Sequence, residues 1–253
     1  MKTTDNTIFI TGGTSGIGRG LAESFHKLGN QVIIAGRRQE LLDEVVAANP
    51  GMDSIRLDVS NPAEIQTVAE VLIARYPSLN VIINNAGIMP FDNAAGILDD
   101  SQAARTIDTN LLGPVRVSSA FVEHLKKQPD AYIINNSSVL AFVPLAATAL
   151  YSATKAAIHS YTLSQRFMLR DTSVKVIEIA PPWVDTDLIH KSGDPRAMPL
   201  DAFLEETMEK LAQENVEALV DVVVPLRDNP GSKEHALVRD FNLSLVNNPI
   251  PVA

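Results

Sequence analysis

Cysteine is absent from the 253-residue chain. Its absence excludes a disulfide framework, thiolate catalysis and any Cys-ligated zinc site. A basic excess is also missing: 21 Lys and Arg stand against 30 Asp and Glu, for a formal net charge of −9. Phosphate contacts carry most nucleic-acid affinity, so no nucleic-acid partner is expected. The five histidines are scattered singly, without an HExxH or other close-set pair, and no metal site is read from them. No apolar run reaches the ~18 residues of a membrane span. The first residues carry no apolar core followed by a cleavage site, so no signal peptide is expected. These absences predict a soluble cytoplasmic protein without a membrane partner.

What is present is a globular composition, 45% hydrophobic and 20% charged, with no linker, repeat or low-complexity tract. Short β-branched runs alternate with longer helical patterns. Thr7–Thr11, Gln31–Ala35, Ser54–Val59, Val81–Asn84, Ala131–Asn136 and Val174–Ile179 read as strands. Helical patterns cover Ile17–Leu28, ended by Gly29, and Gln39–Ala48. Another opens at Pro62 with Asn61 as N-cap, a long one lies within Ser101–Lys127, and a last runs from about Ser152 to Arg170. Val32-Ile33-Ile34, Val81-Ile82-Ile83 and Tyr132-Ile133-Ile134 are apolar without alternation, the mark of strands covered on both faces. The expected fold is α/β: a Rossmann-like doubly wound parallel sheet with helices on both faces, in a single domain over 1–253. Residues 185–215 form the least regular insertion. Gly193, Pro195 and Pro199 predict a loop and a short helix there, serving as a substrate lid.

The first strand runs into Thr11-Gly12-Gly13-Thr14-Ser15-Gly16-Ile17-Gly18 and then a helix. Glycines let the backbone turn tightly and approach a pyrophosphate, while the helix start offers free N–H groups to the anion. Gly12, Thr14, Ser15, Gly16, Ile17 and Gly18 are therefore cofactor-binding candidates. The second strand ends at Ala35-Gly36-Arg37-Arg38. An NAD site usually carries an acid there for the ribose 2′-hydroxyl. Arg37 and Arg38 instead suit a 2′-phosphate, which a guanidinium can pair bidentately. NADP(H) is the expected cofactor, with NAD(H) as the alternative.

Tyr151 and Lys155 are four residues apart, so on a helix they share a face. Such a pair alone is ordinarily a surface pair; its company gives it weight. A free tyrosine has a pKa of ~10, and lowering it by ~3 units takes ~4 kcal/mol. One ammonium about 4 Å away, at an effective dielectric of roughly 20, supplies energy of that order. Lys155 is thus expected to make Tyr151 a general acid or base near neutral pH. Ser138 and Ser137 both lie at the end of the fifth strand, where either hydroxyl could hold a substrate oxygen. Asn110 sits inside a helical pattern that asparagine does not favour.

The chain resembles the short-chain dehydrogenase/reductase family over about residues 7 to 190. The resemblance is carried by the TGxxxGxG loop, Asn84-Asn85-Ala86-Gly87, Asn110, Ser138, Tyr151-Ser152-Ala153-Thr154-Lys155 and the segment after the sixth strand, in matching order and spacing. It implies a nicotinamide cofactor and a catalytic set of Asn110, Ser138, Tyr151 and Lys155. Family spacing to the tyrosine selects Ser138 over Ser137, and makes Asn110 a helix distortion holding a water near Lys155. It places Asp58 and Val59 beside the adenine, and adds Asn85, Ala86, Gly87, Pro181, Val184 and Thr186 to the cofactor contacts. The family usually reads Pro-Gly after the sixth strand, where this chain has Pro181-Pro182. Proline fixes φ and has no N–H, so any contact of the usual glycine through either is lost at Pro182.

Residues 216 to 253 also lack the Asp-Gly-Gly-like strand that helps build tetramers in the family. Asp221-Val222-Val223-Val224-Pro225 is apolar, and the stretch after Gly231 reads as helical. A homodimer through the long helices starting near Ser101 and Ser152 is therefore expected, with a tetramer as the alternative. The Pro-Pro variant and this tail are similar to a bacterial subgroup named after D-alanylation oxidoreductases. Ile88, Met89, Phe91 and Leu140, with Phe142, Pro144, Trp183 and Leu188, are expected near the substrate. Their character points to a small apolar carbonyl or alcohol compound. The rival reading is a non-catalytic NADP(H)-binding sensor or scaffold protein.

Overall fold

The computed structural model describes residues 1–213, 215–228 and 233–248. Strands β1 (Thr7–Thr11), β2 (Gln31–Gly36), β3 (Asp53–Arg56), β4 (Leu79–Asn84), β5 (Ala131–Asn136), β6 (Val174–Ile179) and β7 (Glu217–Ala218) pair in parallel throughout. Their order is β3-β2-β1-β4-β5-β6-β7. The order reverses between β1 and β4, and a crevice at such a switch point is where an open α/β sheet binds its ligand.

Side chains alternate across the strands into two cores. Ile8, Ile10, Val32, Ile34, Val81 and Ile83 face one layer, built on Leu21 and Phe25 of α1 (Gly16–Lys27) and Leu42 and Val45 of α2 (Gln39–Ala48). Phe9, Ile33, Ala35 and Ile82 face the other, built on Ile65, Val68 and Leu72 of α3 (Pro62–Arg75). The doubly wound expectation therefore holds, because period-2 strands with apolar residues at every position need cover on both sides. Asn61 caps α3 as expected, its side chain accepting from the N–H groups of Ala63 and Glu64 at 3.0 and 3.3 Å.

The long helical pattern within 101–127 is three pieces. These are α4 (Asp100–Ile107), a π-helical turn over Asp108–Leu112, and α5 (Gly113–Leu125), which adds Val117, Phe121 and Leu125 to the second core. Helix α6 (Ala149–Leu169) begins three residues before the expected Ser152. Strand β3 stops at Arg56, earlier than expected, and residues 57–59 continue toward the ligand crevice.

The segment 185–215 divides. Residues 185–199 are irregular, tied to the fold by a bridge between Val184 and Met198. The expected short helix is instead α7 (Leu200–Ala212), 13 residues long, with Phe203, Thr207 and Leu211 buried. Phe203 and Leu211 belong to the first core, so this half of the expected lid is framework. The tail adds α8 (Val224–Arg227) and α9 (Glu234–Asn247), the latter where helix was expected; Gly231 lies outside the described residues. Phe241 and Leu245 of α9 pack against the first core. No helix among the described residues is long and apolar enough to cross a membrane.

Candidate active site

A cavity of about 590 Å³ opens at the strand ends around the switch point. The glycine loop, with Gly12, Thr14, Ser15, Gly16, Ile17 and Gly18, forms one wall. A Cβ on Gly12 would stand 2.8 Å from Ala86 Cα, and one on Gly18 would stand 2.2 Å from the Gly12 carbonyl oxygen. Gly12 also has φ +69°, a left-handed backbone that other residues adopt with strain. The loop is therefore closed to side chains at these two positions by backbone atoms that cannot yield. Ser15 occupies the N-cap of α1 without capping it through its side chain, which leaves the first-turn N–H groups directed at the cavity. Such a cradle fits the pyrophosphate of a dinucleotide.

Further along, Arg37, Arg38, Asp58 and Val59 line the cavity. Neither Arg37 nor Arg38 forms an ion pair among the described residues. Burial pushes the Asp58 carboxyl up. The Ser60 N–H and hydroxyl, together with the charges of Arg37 and Arg56, more than offset this and hold it below its ordinary value. Arg56 is a third cation at this end that sequence reasoning did not single out. Asn85, Ala86 and Gly87 line the floor, and Pro181 and Thr186 the opposite rim.

Val184 does not line the cavity with its side chain, which is buried in the first core. Its neighbours make the bridge: Met198 N–H donates to Trp183 O at 2.8 Å, and Asp185 N–H to Met198 O at 3.0 Å. In a parallel bridge the residue between these two points its own N–H and C=O the other way. Any ligand contact at Val184 is therefore through backbone.

Tyr151 and Lys155 both line the cavity, and each is only 5% exposed. Lys155 Nζ donates to Asn136 O at 2.8 Å and lies 5.5 Å from the centre of the Tyr151 ring. Burial pushes the Tyr151 hydroxyl up to about 12, and the hydroxyl of Ser138 pulls weakly the other way. This corrects the expectation that Lys155 brings Tyr151 down toward neutrality. The ammonium is bonded to a backbone carbonyl instead of the phenol, and desolvation dominates. Burial also pulls Lys155 down, to about 8, against the charge of Glu178.

Of the two serines, Ser137 gives its hydroxyl to Glu178 Oε1 and Ile179 O, whereas Ser138 is the one that acts on Tyr151. Asn110 lies in the π turn, the distortion expected of it. Its side chain forms a reciprocal pair with Ile88, accepting from Ile88 N–H at 2.9 Å and donating to Ile88 O at 2.8 Å. Gly87 packs between the two polar groups: a Cβ there would meet Asn110 Oδ1 at 3.4 Å and Lys155 Nζ at 3.9 Å. Asn110, Ser138, Tyr151 and Lys155 are thus brought to one place.

Asp92 escaped sequence reasoning. Its carboxylate accepts from the N–H groups of Ala149 and Leu150 at 3.0 and 2.8 Å, capping α6 from a distant loop. Asn136 was missed as well; its Nδ2 donates to Asn85 Oδ1 at 2.8 Å, and its own Oδ1 is buried without a partner. Gln102, Arg105 and Thr109 also line the cavity. Their spacing along α4 and the π turn is the helical signal that could have found them. Of the expected substrate residues, Ile88, Met89 and Leu188 line the cavity. Leu140 is core, Phe142 packs edge-on against His159 at 5.1 Å, and Arg196 covers Trp183 at 5.3 Å. Phe91 and Pro144 are exposed outside the lining.

This sheet order, glycine loop and Tyr–Lys helix define an oxidoreductase of one family: the chain belongs to the short-chain dehydrogenases, whose family model, described as short chain dehydrogenase, matches residues 6–197. Among its relatives, the oxidoreductase DltE of Bacillus subtilis (strain 168) is 45% identical over 199 residues, covering 78% of this chain and 79% of that one. A short chain dehydrogenase from Burkholderia cenocepacia J2315, solved in complex with NADP, superimposes with a TM-score of 0.80 at 24% identity, covering 99% of this chain and 100% of that one. Serine dehydrogenase from Escherichia coli is 31% identical, with a TM-score of 0.66 over 70% of this chain and 82% of that one.

Proposed function

We propose that the chain is an NADP(H)-dependent oxidoreductase that interconverts a carbonyl and an alcohol on a small apolar substrate, with Tyr151 as general acid and base. The observation that carries this reading is a single cavity lined at once by the glycine loop, by Arg37 and Arg38, and by Tyr151 and Lys155. The loop and the α1 N–H groups suit the pyrophosphate, and the arginines suit a 2′-phosphate. A bound nicotinamide supplies or accepts the hydride.

Tyr151, pushed up to about 12, holds its proton at neutral pH. It is therefore ready to donate to a carbonyl oxygen, and reduction is the direction its resting state favours. Ser138 holds the same oxygen. Lys155, ionised below about 8, places positive charge beside the phenol as it gives up its proton. Asn110 keeps the Ile88 backbone and the π turn in place next to Lys155. The reverse reaction needs Tyr151 deprotonated and runs better as pH rises.

Ile88, Met89 and Leu188 support an apolar substrate. Leu163, Phe167 and Met168, exposed on α6, support pairing of two copies through this helix. The test is titration of the purified protein with NADPH and NADH, then a carbonyl panel followed by cofactor oxidation. NADPH binding with turnover is expected. Tight binding without turnover across the panel would favour a cofactor-binding sensor or scaffold, and no binding of either cofactor would overturn the reading.

A further inference from the structure

Where β6 meets α6 lies a charged cluster beside the cavity, which Ser137 and Lys155 line. At its centre is Glu178, 0% exposed. Ser137 Oγ donates to its carboxylate, and His159 Nδ1 contacts both carboxylate oxygens at 3.0 and 2.8 Å. His159 follows Lys155 by four residues, as Lys155 follows Tyr151, so the three share one face of α6. From the other side, Arg227 of α8 donates to both oxygens of Glu217 in β7, at 3.2 and 3.1 Å, and its charge also reaches Glu178. Arg166 of α6 is turned onto the carbonyls of Val176 and Val216. His159, Glu178 and Glu217 converge within 4.8 Å, as metal ligands can. Arg227 already occupies both Glu217 oxygens and brings the positive charge there, so the cluster is an ion-pair network and not a cation site.

We propose that Glu178 is a positioning residue for Lys155: the buried counter-charge that keeps the lysine in its ammonium form beside Tyr151. The proposal rests on the reading of Lys155 as part of the Tyr151 centre. The ammonium is buried, and it donates to a neutral carbonyl, Asn136 O. One neutral acceptor does not replace the hydration of a charge; a carboxylate behind it acts over the remaining distance. The direction agrees, since burial lowers Lys155 and Glu178 works against the lowering. Ser137 and His159 fix the place of the carboxylate, and Arg227 competes for it. Charge on Lys155 is then governed by Glu178 and Arg227, neither of which lines the cavity.

The test is NMR of the full chain carrying lysine labelled with ¹³C at the ε carbon, with the Lys155 signal identified by its loss in Lys155→Met. It needs neither substrate nor cofactor. Glu178→Gln keeps the shape of the side chain and one acceptor oxygen, and removes its charge; the Lys155 midpoint is expected to fall by about one unit, a tenfold loss of proton affinity. Arg227→Met removes the competing cation and is expected to move the midpoint upward. A packing role alone would not give opposite signs. If Glu178→Gln does not fold, Arg227→Met at the sheet edge decides alone. A Lys155 midpoint that moves in neither variant overturns the counter-charge role, while the Tyr151 reading stands or falls separately on Tyr151→Phe.

Discussion

Replacing Asp92 tests how the active-site helix is held. Helix α6 carries Tyr151 as its third residue, and its N-cap, Thr148, does not cap it through its side chain. The Thr148 hydroxyl is buried without a partner. The two N–H groups at the helix start are taken instead by Asp92, at 3.0 and 2.8 Å. Losing a side-chain cap costs about 1 kcal/mol, and losing an anion at a helix N-terminus about 0.3–1 kcal/mol. With two bonds and one charge removed, Asp92→Ala is expected to cost about 2–3 kcal/mol in total. At about 2–4 °C per kcal/mol for a domain of this size, Tm falls by about 5–10 °C. Asp92→Asn keeps one acceptor oxygen and loses the charge, so it should fall about midway. Urea unfolding gives the free energies, with an unchanged m-value as the control for a two-state comparison. Turnover should fall further than stability explains, because Tyr151 sits in the turn that frays, while cofactor affinity at the glycine loop is little changed. An Asp92→Ala protein within about 0.5 kcal/mol of the parent, the range of an ordinary surface change, would refute the reasoning.

Three further outcomes are expected. Tyr151→Phe should lose at least ~10²-fold in turnover while still binding NADPH; a variant that keeps its activity removes Tyr151 from the chemistry. Arg37→Ala should raise KM for NADPH far more than for NADH, and equal effects on the two would remove the 2′-phosphate argument. Lys155 falls from 10.5 to about 8 on folding, so between those values the unfolded chain binds more protons and stability rises with pH. Tyr151 moves from 10.0 up to about 12, which lowers stability as pH climbs above 10. Lys155→Met should therefore lack the rise seen between pH ~8 and ~10, measured as urea midpoints at several pH values; an equal rise in both proteins would dismiss the buried lysine as its source.

Much of the fold could be read from the sequence because its signals are local. The boundaries of β1, β5 and β6 follow from short apolar, β-branched runs and those of α2 from its helical pattern, and Asn61 and Pro62 mark the start of α3 within a few residues of chain. β7 escaped because two residues carry no periodicity. The π turn was visible only as an awkward Asn110, and its geometry, a wider turn between two helices, has no composition of its own. α7 was underestimated because Gly193, Pro195 and Pro199 set the tone for a segment whose second half is apolar at helical spacing. The glycine loop and the Tyr–Lys step were legible for the same reason as the strands: each is a short pattern whose spacing already fixes its geometry.

The chemistry of α6 depends on partners that no such spacing reveals. Tyr151, Lys155 and His159 stand at equal steps along one helix face, so the sequence puts them in line. What each can do is set by a different part of the chain: Asp92, from the loop after β4, holds the first turn; Asn136, ending β5, holds the Lys155 ammonium; and Glu178, in β6, holds His159. Burial then acts on the first two in opposite senses, because it disfavours charge in both, keeping the phenol protonated and easing the ammonium toward neutrality. A tyrosine that donates and a lysine that stays charged are therefore compatible only if something opposes burial at the lysine while burial still prevails at the tyrosine. Glu178 supplies that opposition at the lysine, where its charge favours the ammonium, and it is not among the groups that act on Tyr151.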